Sequence, residues 1–540
     1  MKQNIHLHKL IMFLHEVRGW KRQFMMIFCG AATSFALSPF HFIIVGFLTF
    51  PILIIVLDGV AEISNLKRRI FIASMTCWSF GFGYFVFALW WLSHAMLIDP
   101  IAFAWAIPFA VLGLPAYLAL YWALAGCLAM MFWYPNAARF LALGFAFGAG
   151  EWFRGTLLTG FPWASIGYTL MPTPLLMQSA AILGLYGINA LAVLCYSLAT
   201  VLFTDEKKLF SLSLLMVLIG AHIGFGVYRM HNLPNVENYK TAERWVRIVQ
   251  PSIQQTNKMD VEDRQKTFEM HLDLSEAPIK KGSKKPDFIV WPETSVPYIL
   301  DYVPAAKMRI ADMLTNNQWA IVGSVRTDGR VNQTNKHYYN TIEVVNHHGQ
   351  ILASSDKVHL VPFGEYLPYQ KLFDAIGLKA IADDVGGYSP ADQRRSVTMP
   401  NDFTYLPMIC YEIIFPDGMD YHGNKPQAIL NVTNDAWFGM TPGPYQHLDQ
   451  ARLRAVELGL PLIRAANNGI SAVVDPYGRI VQYLKQNEVD FVDSPIPDSI
   501  VPYWNNGPQS YHAFVIIFLL LVSNLLLRRT KTGNHLTNIR

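Results

Sequence analysis

The sequence predicts a multi-span helical membrane domain joined to an α/β domain, and three observations carry that prediction. Only 15% of the 540 residues are charged and 52% are hydrophobic, with a mean hydropathy of +0.24, which is more apolar than an ordinary soluble chain. Long apolar stretches fill residues 24–229 and return at 511–527. Between them, residues 244–498 hold most of the Asp, Glu, Lys and Arg and read as short β-branched strands interleaved with helices. The net charge of +4 is small and spread out, and no basic patch points to nucleic acid.

The membrane part is justified in chain order. Residues 1–23 carry Lys2, Lys9, Arg18, Lys21 and Arg22. A signal peptide also starts basic, but here further apolar spans follow at once, so the segment reads as a cytoplasmic leader into a first span. Spans are expected at about 24–39, 41–58, 70–92, 101–133, 140–153, 174–203, 209–229 and 511–527. A bilayer core takes about 20 apolar residues, so the first, second and fifth are short and the fourth and sixth long. With about eight spans, Lys67, Arg68, Arg69, Arg139, Lys207, Lys208, Arg528, Arg529 and Lys531 all fall on the side of the basic N-terminus, as the positive-inside rule asks. The connections 38–41 and 92–100 carry no Lys or Arg. The expected organisation is therefore an N-terminal membrane domain over 1–229 with about seven helices, a domain outside the cytoplasm over 230–509, and a last span with a cytoplasmic tail over 510–540.

Glu151 and Arg154 interrupt the apolar pattern of the fifth span. Ionisable groups within a membrane are costly and often functional. The competing reading is an ion pair at the outer end of the span, with Trp152 and Trp163 as interfacial aromatics. The connection 157–173, rich in Gly, Pro and aromatics, reads as a structured loop at the outer surface.

In the polar block, strands are expected at 245–249, 287–291, 319–324, 405–409, 428–432 and 470–475, and helices at 260–276, 306–316 and 446–458. Residues 338–346 and 351–358 flank His347-His348-Gly349-Gln350 and read as a hairpin. Its paired histidines are turn residues rather than metal ligands, since no Cys or carboxylate stands at ligand spacing. Pro407 softens the strand before Cys410, because proline cannot donate to a ladder. Residues 369–396 are long, Gly-containing and weakly patterned and read as a mobile loop or lid. Within it Leu372, Phe373, Ile376 and Leu378 form a short apolar face, suited to packing on the domain or to touching lipid.

Three residues at strand ends draw attention together. Glu293 follows the strand that stops at Pro292, at the rim where α/β proteins place reactive groups. Lys357 leads into an apolar run, which suggests pairing with a carboxylate. Cys410 is the one cysteine outside the spans, since Cys29, Cys77, Cys127 and Cys195 all lie in apolar runs. It has no soluble disulfide partner and is either a buried structural cysteine or a free reactive thiol. Each signal alone is weak, but the set is chemically coherent. A thiol is a poor nucleophile until it loses its proton, a glutamate can take that proton, and an ammonium can stabilise the thiolate and a developing oxyanion.

With the stretches 151–168, 291–294, 357–368, 409–416, 434–439 and 464–470, the chain resembles the carbon–nitrogen hydrolase (nitrilase) superfamily. With its spans it is similar to the membrane-embedded apolipoprotein N-acyltransferase family. The resemblance implies an αββα sandwich for the polar block. It implies Glu293 as general base, Lys357 as oxyanion stabiliser and Cys410 as nucleophile, with Glu365, Tyr411 and Glu412 as further positions needed for activity. It also implies a ping-pong reaction through a Cys thioester, a phospholipid acyl donor, a diacylglyceryl apolipoprotein acceptor, and no metal or organic cofactor. A monomer in the inner membrane is expected, with its catalytic domain on the periplasmic side. One position departs from the family: Met259 follows Lys258 where Trp is usual, which bears on a contact to the acyl chain or lid. Two alternatives share the sequence. One is an extracytoplasmic amidase of the same superfamily that gives the acyl group to water. The other is a non-enzymatic lipoprotein scaffold, which the intact Glu293, Lys357 and Cys410 argue against.

Overall fold

The computed structural model describes residues 2–204, 208–255, 263–329, 337–368, 387–505 and 510–528. The chain forms two compact units, Met1–His231 with Tyr503–Arg540, and Asn232–Pro502.

The first unit is helical. Its principal helices are α1 (Lys2–Glu16), α2 (Gly19–Thr33), α3 (Gly46–Ala61), α4 (Leu66–Leu89), α5 (Leu114–Met131), α6 (Ala138–Thr156), α7 (Ala180–Leu198), α8 (Lys208–Met230) and the C-terminal helix Ser510–Arg528. Among the described residues, five segments are long and apolar enough to cross a membrane: Ile43–Ala61, Leu66–Met96, Pro100–Met131, Ala180–Leu202 and Leu209–Met230. Tyr511–Leu527 is a shorter apolar helix. The other expected spans differ for visible reasons. The first is only 15 residues as a helix, Gly19–Thr33, and begins five residues earlier than its hydropathy suggests, taking in Lys21 and Arg22. The fifth, α6, carries Arg139, Glu151 and Arg154.

Those charges are buried and paired, which is how a low-dielectric interior tolerates them. Arg139 lies 3.3 Å from Asp58 of α3, and Trp133 Nε1 donates to the same carboxylate at 3.0 Å. Arg154 Nη2 donates to Glu151 Oε2 at 2.7 Å, and Trp122 Nε1 donates to Glu151 Oε1 at 2.6 Å. Arg154 also donates to the carbonyls of Phe161 and Trp163 and to Ser165 Oγ. The ion pair thus pins the loop after α6, and Tyr84 and Asn189 hold the same loop at Ala164 and Gly167. Trp163, an interfacial aromatic on one of the two readings, is 2% exposed and packs on Trp91 with ring centroids 4.9 Å apart. The loop is folded inward by Arg154, so its tryptophan goes with it.

Among the described residues, the second unit forms two six-stranded sheets, in the orders β12-β1-β2-β3-β4-β5 and β11-β10-β9-β8-β7-β6. The strands are β1 (Trp245–Gln250), β2 (Phe288–Val290), β3 (Trp319–Thr327), β4 (Tyr338–Val345), β5 (Ile351–Asp356), β6 (Val397–Thr398), β7 (Thr404–Ile409), β8 (Ala428–Thr433), β9 (Leu462–Ala466), β10 (Ala472–Val474), β11 (Ile480–Tyr483) and β12 (Asp490–Pro495). The central trios β1-β2-β3 and β7-β8-β9 are parallel, and the strands outside them pair antiparallel. Alternation sorts the side chains. Val246, Ile248, Val290 and Ile321 of the first sheet meet Tyr405, Ile409, Leu430, Val432 and Ile463 of the second in one core. Val249, Ile289, Ala320 and Val322 point the other way, into a second core with Phe268, Leu272 and Ile310 of the helices α9 (Arg264–Glu276) and α10 (Pro304–Asp312). The helix α11 (Gly443–Leu458) follows β8, and its fourteen buried residues include the expected face Leu448, Ala451, Ala455 and Leu458. Strands buried on both faces explain why the parallel runs read as continuously apolar.

Four strands were absent from the sequence expectation: β6, β9, β11 and β12. β9 is hidden by Arg464 in its middle and β12 by Asp490 and Asp493, charges that are all paired, with Arg464 and Asp493 buried. Arg247 of β1 donates to both oxygens of Asp493, at 2.7 and 2.9 Å. Pro407 does stand inside a strand. β6 pairs only with Tyr405 and Thr404, so β7 is an edge beyond them. The carbonyl of Thr404 points to the β8 side, toward Gln427 N at 2.7 Å, which places the missing N–H of Pro407 on the open edge, where it costs no ladder bond. The expected helix at 306–316 is Pro304–Asp312. Met259 and residues 369–386 of the expected lid, including the apolar face at 372–378, lie outside the described residues.

Candidate active site

The three strand-end residues come from both sheets. Glu293 follows β2, where Pro292 stops the ladder and Thr294 turns the chain at φ +44. This turn folds back over β3, and Ser295 N donates to Gly323 O at 2.8 Å. A Cβ on Gly323 would stand 2.1 Å from Pro292 O and 2.7 Å from Glu293 Cα, so only glycine admits the approach. Glu293 is 6% exposed. Its Oε1 accepts from Asn340 Nδ2 at 2.7 Å and from Lys357 Nζ at 3.4 Å, and its Oε2 accepts from Asn434 N at 2.9 Å.

Lys357 lies just past β5 and is 1% exposed. Its ammonium donates to Glu365 Oε1 at 2.9 Å as well as to Glu293. Burial pulls its pKa down, but the charges of Glu365 and Glu293 more than offset this and hold it above the usual lysine value. The second carboxylate is itself fixed. Val361 N donates to Glu365 Oε2 at 2.8 Å, and Asn340 Nδ2 reaches its Oε1 at 3.1 Å. Asn340 therefore bridges Glu293 and Glu365 with one amide group.

Cys410 is the first residue past β7, opens the 3-10 turn Cys410–Ile414, and has φ +52, rare for a non-glycine residue. It is 8% exposed. Burial and the charge of Glu293 push its thiol pKa up, while Lys357 pulls it down. The resting group is a thiol, and nucleophilic use of it requires a base. Thr433 Oγ1 stands 3.3 Å from its sulfur, and His447 Nε2 donates to its carbonyl at 3.2 Å.

The supporting carboxylate Glu412 ties the two halves of the site. Ile409 N donates to its Oε2 at 2.7 Å, satisfying the N–H on the open edge of β7. Its Oε1 accepts from Val358 N at 2.8 Å, His359 N at 3.1 Å and Arg394 Nη2 at 2.7 Å. Burial would raise its pKa, but Arg394 and these amides hold it below the usual carboxylate range. Glu412 thereby fixes the Cys410 turn against the segment leading from Lys357. Tyr411 is 6% exposed and packs edge-on to Phe415, centroids 5.0 Å apart.

All six expected residues thus lie in this unit, with Glu293, Lys357 and Glu365 in direct contact. Glu151 and Arg154 belong to the helical unit. Asn340, Thr433, Asn434, Asp435, His447 and Arg464 were given no role from the sequence. Asn434, Asp435 and Arg464 fall in stretches that carried the family resemblance, and Asn340 and Arg464 also stand out as polar side chains in otherwise buried strands.

Comparison with known proteins gives two family matches. The model for the carbon-nitrogen hydrolase family covers residues 246–499, and that for the apolipoprotein N-acyltransferase N-terminal domain covers residues 29–198. A protein of Rhizobium leguminosarum bv. trifolii named apolipoprotein N-acyltransferase is 46% identical over 517 residues, 95% of this chain and 97% of its own. One of the same name from Brucella melitensis is 43% identical over 513 residues, 94% of this chain and 96% of its own. Among solved structures, an amidase from Nesterenkonia sp. is 18% identical, covers 48% of this chain and 92% of its own, and has a TM-score of 0.32.

Proposed function

The chain belongs to the apolipoprotein N-acyltransferase family, and from that premise we propose that it moves an acyl group from a membrane phospholipid to the N-terminal diacylglyceryl-cysteine of an apolipoprotein. The observation that carries the reading is the Lys357 ammonium held between Glu293 and Glu365 at 3.4 and 2.9 Å, with the charges of Glu293 and Lys357 both acting on the Cys410 thiol. Glu293 takes the thiol proton. The thiolate attacks the phospholipid ester and forms a thioester, and Glu293 gives its proton to the departing lysophospholipid oxygen. The acceptor's α-amine then attacks the thioester carbonyl and gives a proton to Glu293, the C–S bond breaks as the amide forms, and Cys410 leaves as the thiolate and regains its proton. Lys357 stabilises the oxyanion of each tetrahedral intermediate. Glu365 and Asn340 hold Lys357 and Glu293, while Tyr411 and Glu412 shape the nucleophile turn. The enzyme works as a monomer at the outer face of the inner membrane, with residues 230–509 as the catalytic domain between the membrane domain 1–229 and the last span and tail 510–540.

The test is the mass of the Cys410 peptide after the full chain is mixed with phospholipid. One acyl chain is expected on Cys410 and none in Cys410→Ala. Glu293→Gln should slow loading by roughly 10²–10⁴, the usual range for a general base. A folded Cys410→Ala protein that still acylates an apolipoprotein would end the reading. Release of free fatty acid in place of transfer, with acceptor present, would favour the amidase alternative.

A further inference from the structure

Behind Cys410 lies a buried polar cluster that the reaction above does not use. Thr433 ends β8, Asp435 follows two residues later, His447 is on α11 and Arg464 is in β9, and all four are 0% exposed. Thr433 Oγ1 stands 3.3 Å from Cys410 Sγ and 3.0 Å from Asp435 Oδ1. Arg464 Nη2 donates to Asp435 Oδ2 at 2.7 Å, and His447 Nδ1 is 2.9 Å from Asp435 Oδ1. Arg464 also donates to Asn431 Oδ1, which fixes its guanidinium on the next strand. A Cβ on Gly469 would stand 2.2 Å from Asp435 Oδ2, so the glycine is what leaves room for this carboxylate.

We propose that Thr433 is a further catalytic residue: its hydroxyl, aimed by Asp435, is the hydrogen-bond donor that receives the thiolate of Cys410. The inference rests on the reading of Cys410 as the nucleophile. The hydroxyl carries one hydrogen and faces two acceptors. While the sulfur keeps its own proton it is a weak acceptor, and the hydrogen goes to the Asp435 carboxylate. Once Glu293 has taken the thiol proton, the hydroxyl turns to the sulfur, and Asp435 remains held by Arg464. No bond to hydrogen breaks at Thr433. The anion is thus met by a donor that was already in place, which lowers the cost of forming it. Asp435 stays charged throughout: burial works against its charge, but Arg464 and then His447 hold its pKa down to about 2. His447, donating to the carbonyl of Cys410, fixes the residue from its other end. The charged and titratable groups that face this thiol are Glu293 after β2, Lys357 after β5 and Asp435 after β8, with His447 and Arg464 behind.

The experiment uses the full chain and reads alkylation of the Cys410 peptide by iodoacetamide against pH in the parent, Thr433→Val and Thr433→Ser. Valine keeps the shape in a strand and removes the donor; serine keeps the donor. In Thr433→Val the midpoint should rise by about one unit, which is about a tenfold slower reaction below it, and Thr433→Ser should follow the parent. A Thr433→Val profile that overlays the parent overturns the proposal, and so does a Thr433→Ser profile that moves with Thr433→Val. The readout needs no acyl donor. A shifted profile in a protein that fails to acylate Cys410 from phospholipid would leave Thr433 in this role and end the acyl-transfer reading instead.

Discussion

Glu343 on β4 is a carboxyl that the site does not use and that the fold carries at a cost. It is 2% exposed and accepts from Ser324 Oγ at 2.5 Å. Burial raises its pKa from 4.5 to about 7, with the Ser324 hydrogen bond pulling the other way. The folded protein therefore holds this proton more tightly than the unfolded chain does. Below pH 4.5 both states are protonated and there is no penalty. As pH rises from 4.5 to about 7, the unfolded chain ionises first and the native state loses stability; above that the penalty is constant. Glu343→Gln keeps the acceptor for Ser324 and removes the charge. It should stabilise the sandwich at pH 8 by on the order of 2–3 kcal/mol and leave it unchanged near pH 4. Thermal melts of the two proteins at both pH values check this, and equal differences at the two would discard it.

At the scale of elements, the turn after β2 depends on β3 being thin at Gly323. In Gly323→Ala the new methyl meets backbone atoms of Pro292, Glu293 and Thr294, the nearest at 2.1 Å, so the turn must move and cannot simply swing a side chain aside. A stability loss of about 1–3 kcal/mol is expected from overpacking. Thioester loading should fall by about 10², because a shift of about 1 Å in a catalytic group costs that much. Loading at the parent rate would show that the turn relaxes without moving Glu293. The same elements show what the sequence could reveal. Glu293 and Cys410 each follow a strand that its own apolar run announces, and Lys357 follows the second strand of a hairpin announced by its turn, so their place at strand ends was legible. Asn340 was not, because the two carboxylates it bridges lie 47 and 25 positions away along the chain. β9 stayed hidden because the partner that makes Arg464 buriable, Asp435, is on another strand's end. Local pattern reports periodicity, and a buried charge breaks periodicity until its distant partner is known. The burial of Trp163 was hidden for the same reason, since it follows from the bonds that Arg154 makes to the loop carbonyls of Phe161 and Trp163.

For the whole molecule, the chain enters the α/β unit from α8 and leaves it toward the C-terminal helix. In the orientation proposed from Lys and Arg placement, the α/β unit is on the periplasmic side. A reporter active only outside the cytoplasm should work when fused at Asn424 and fail when fused after Arg529; the reverse pattern would overturn the orientation. One feature of the sandwich bears on how such a protein is made. Glu293, Lys357 and Glu365 are carried by one sheet, and Cys410 with Thr433 by the other. During synthesis the segment bearing the carboxylates and the ammonium emerges before the cysteine. On the proposed mechanism the cysteine is an ordinary thiol without its base until the sheets close on each other, and the partly made chain is expected to have no acylating activity. Completion of the fold is then the step that brings the proposed base to the thiol.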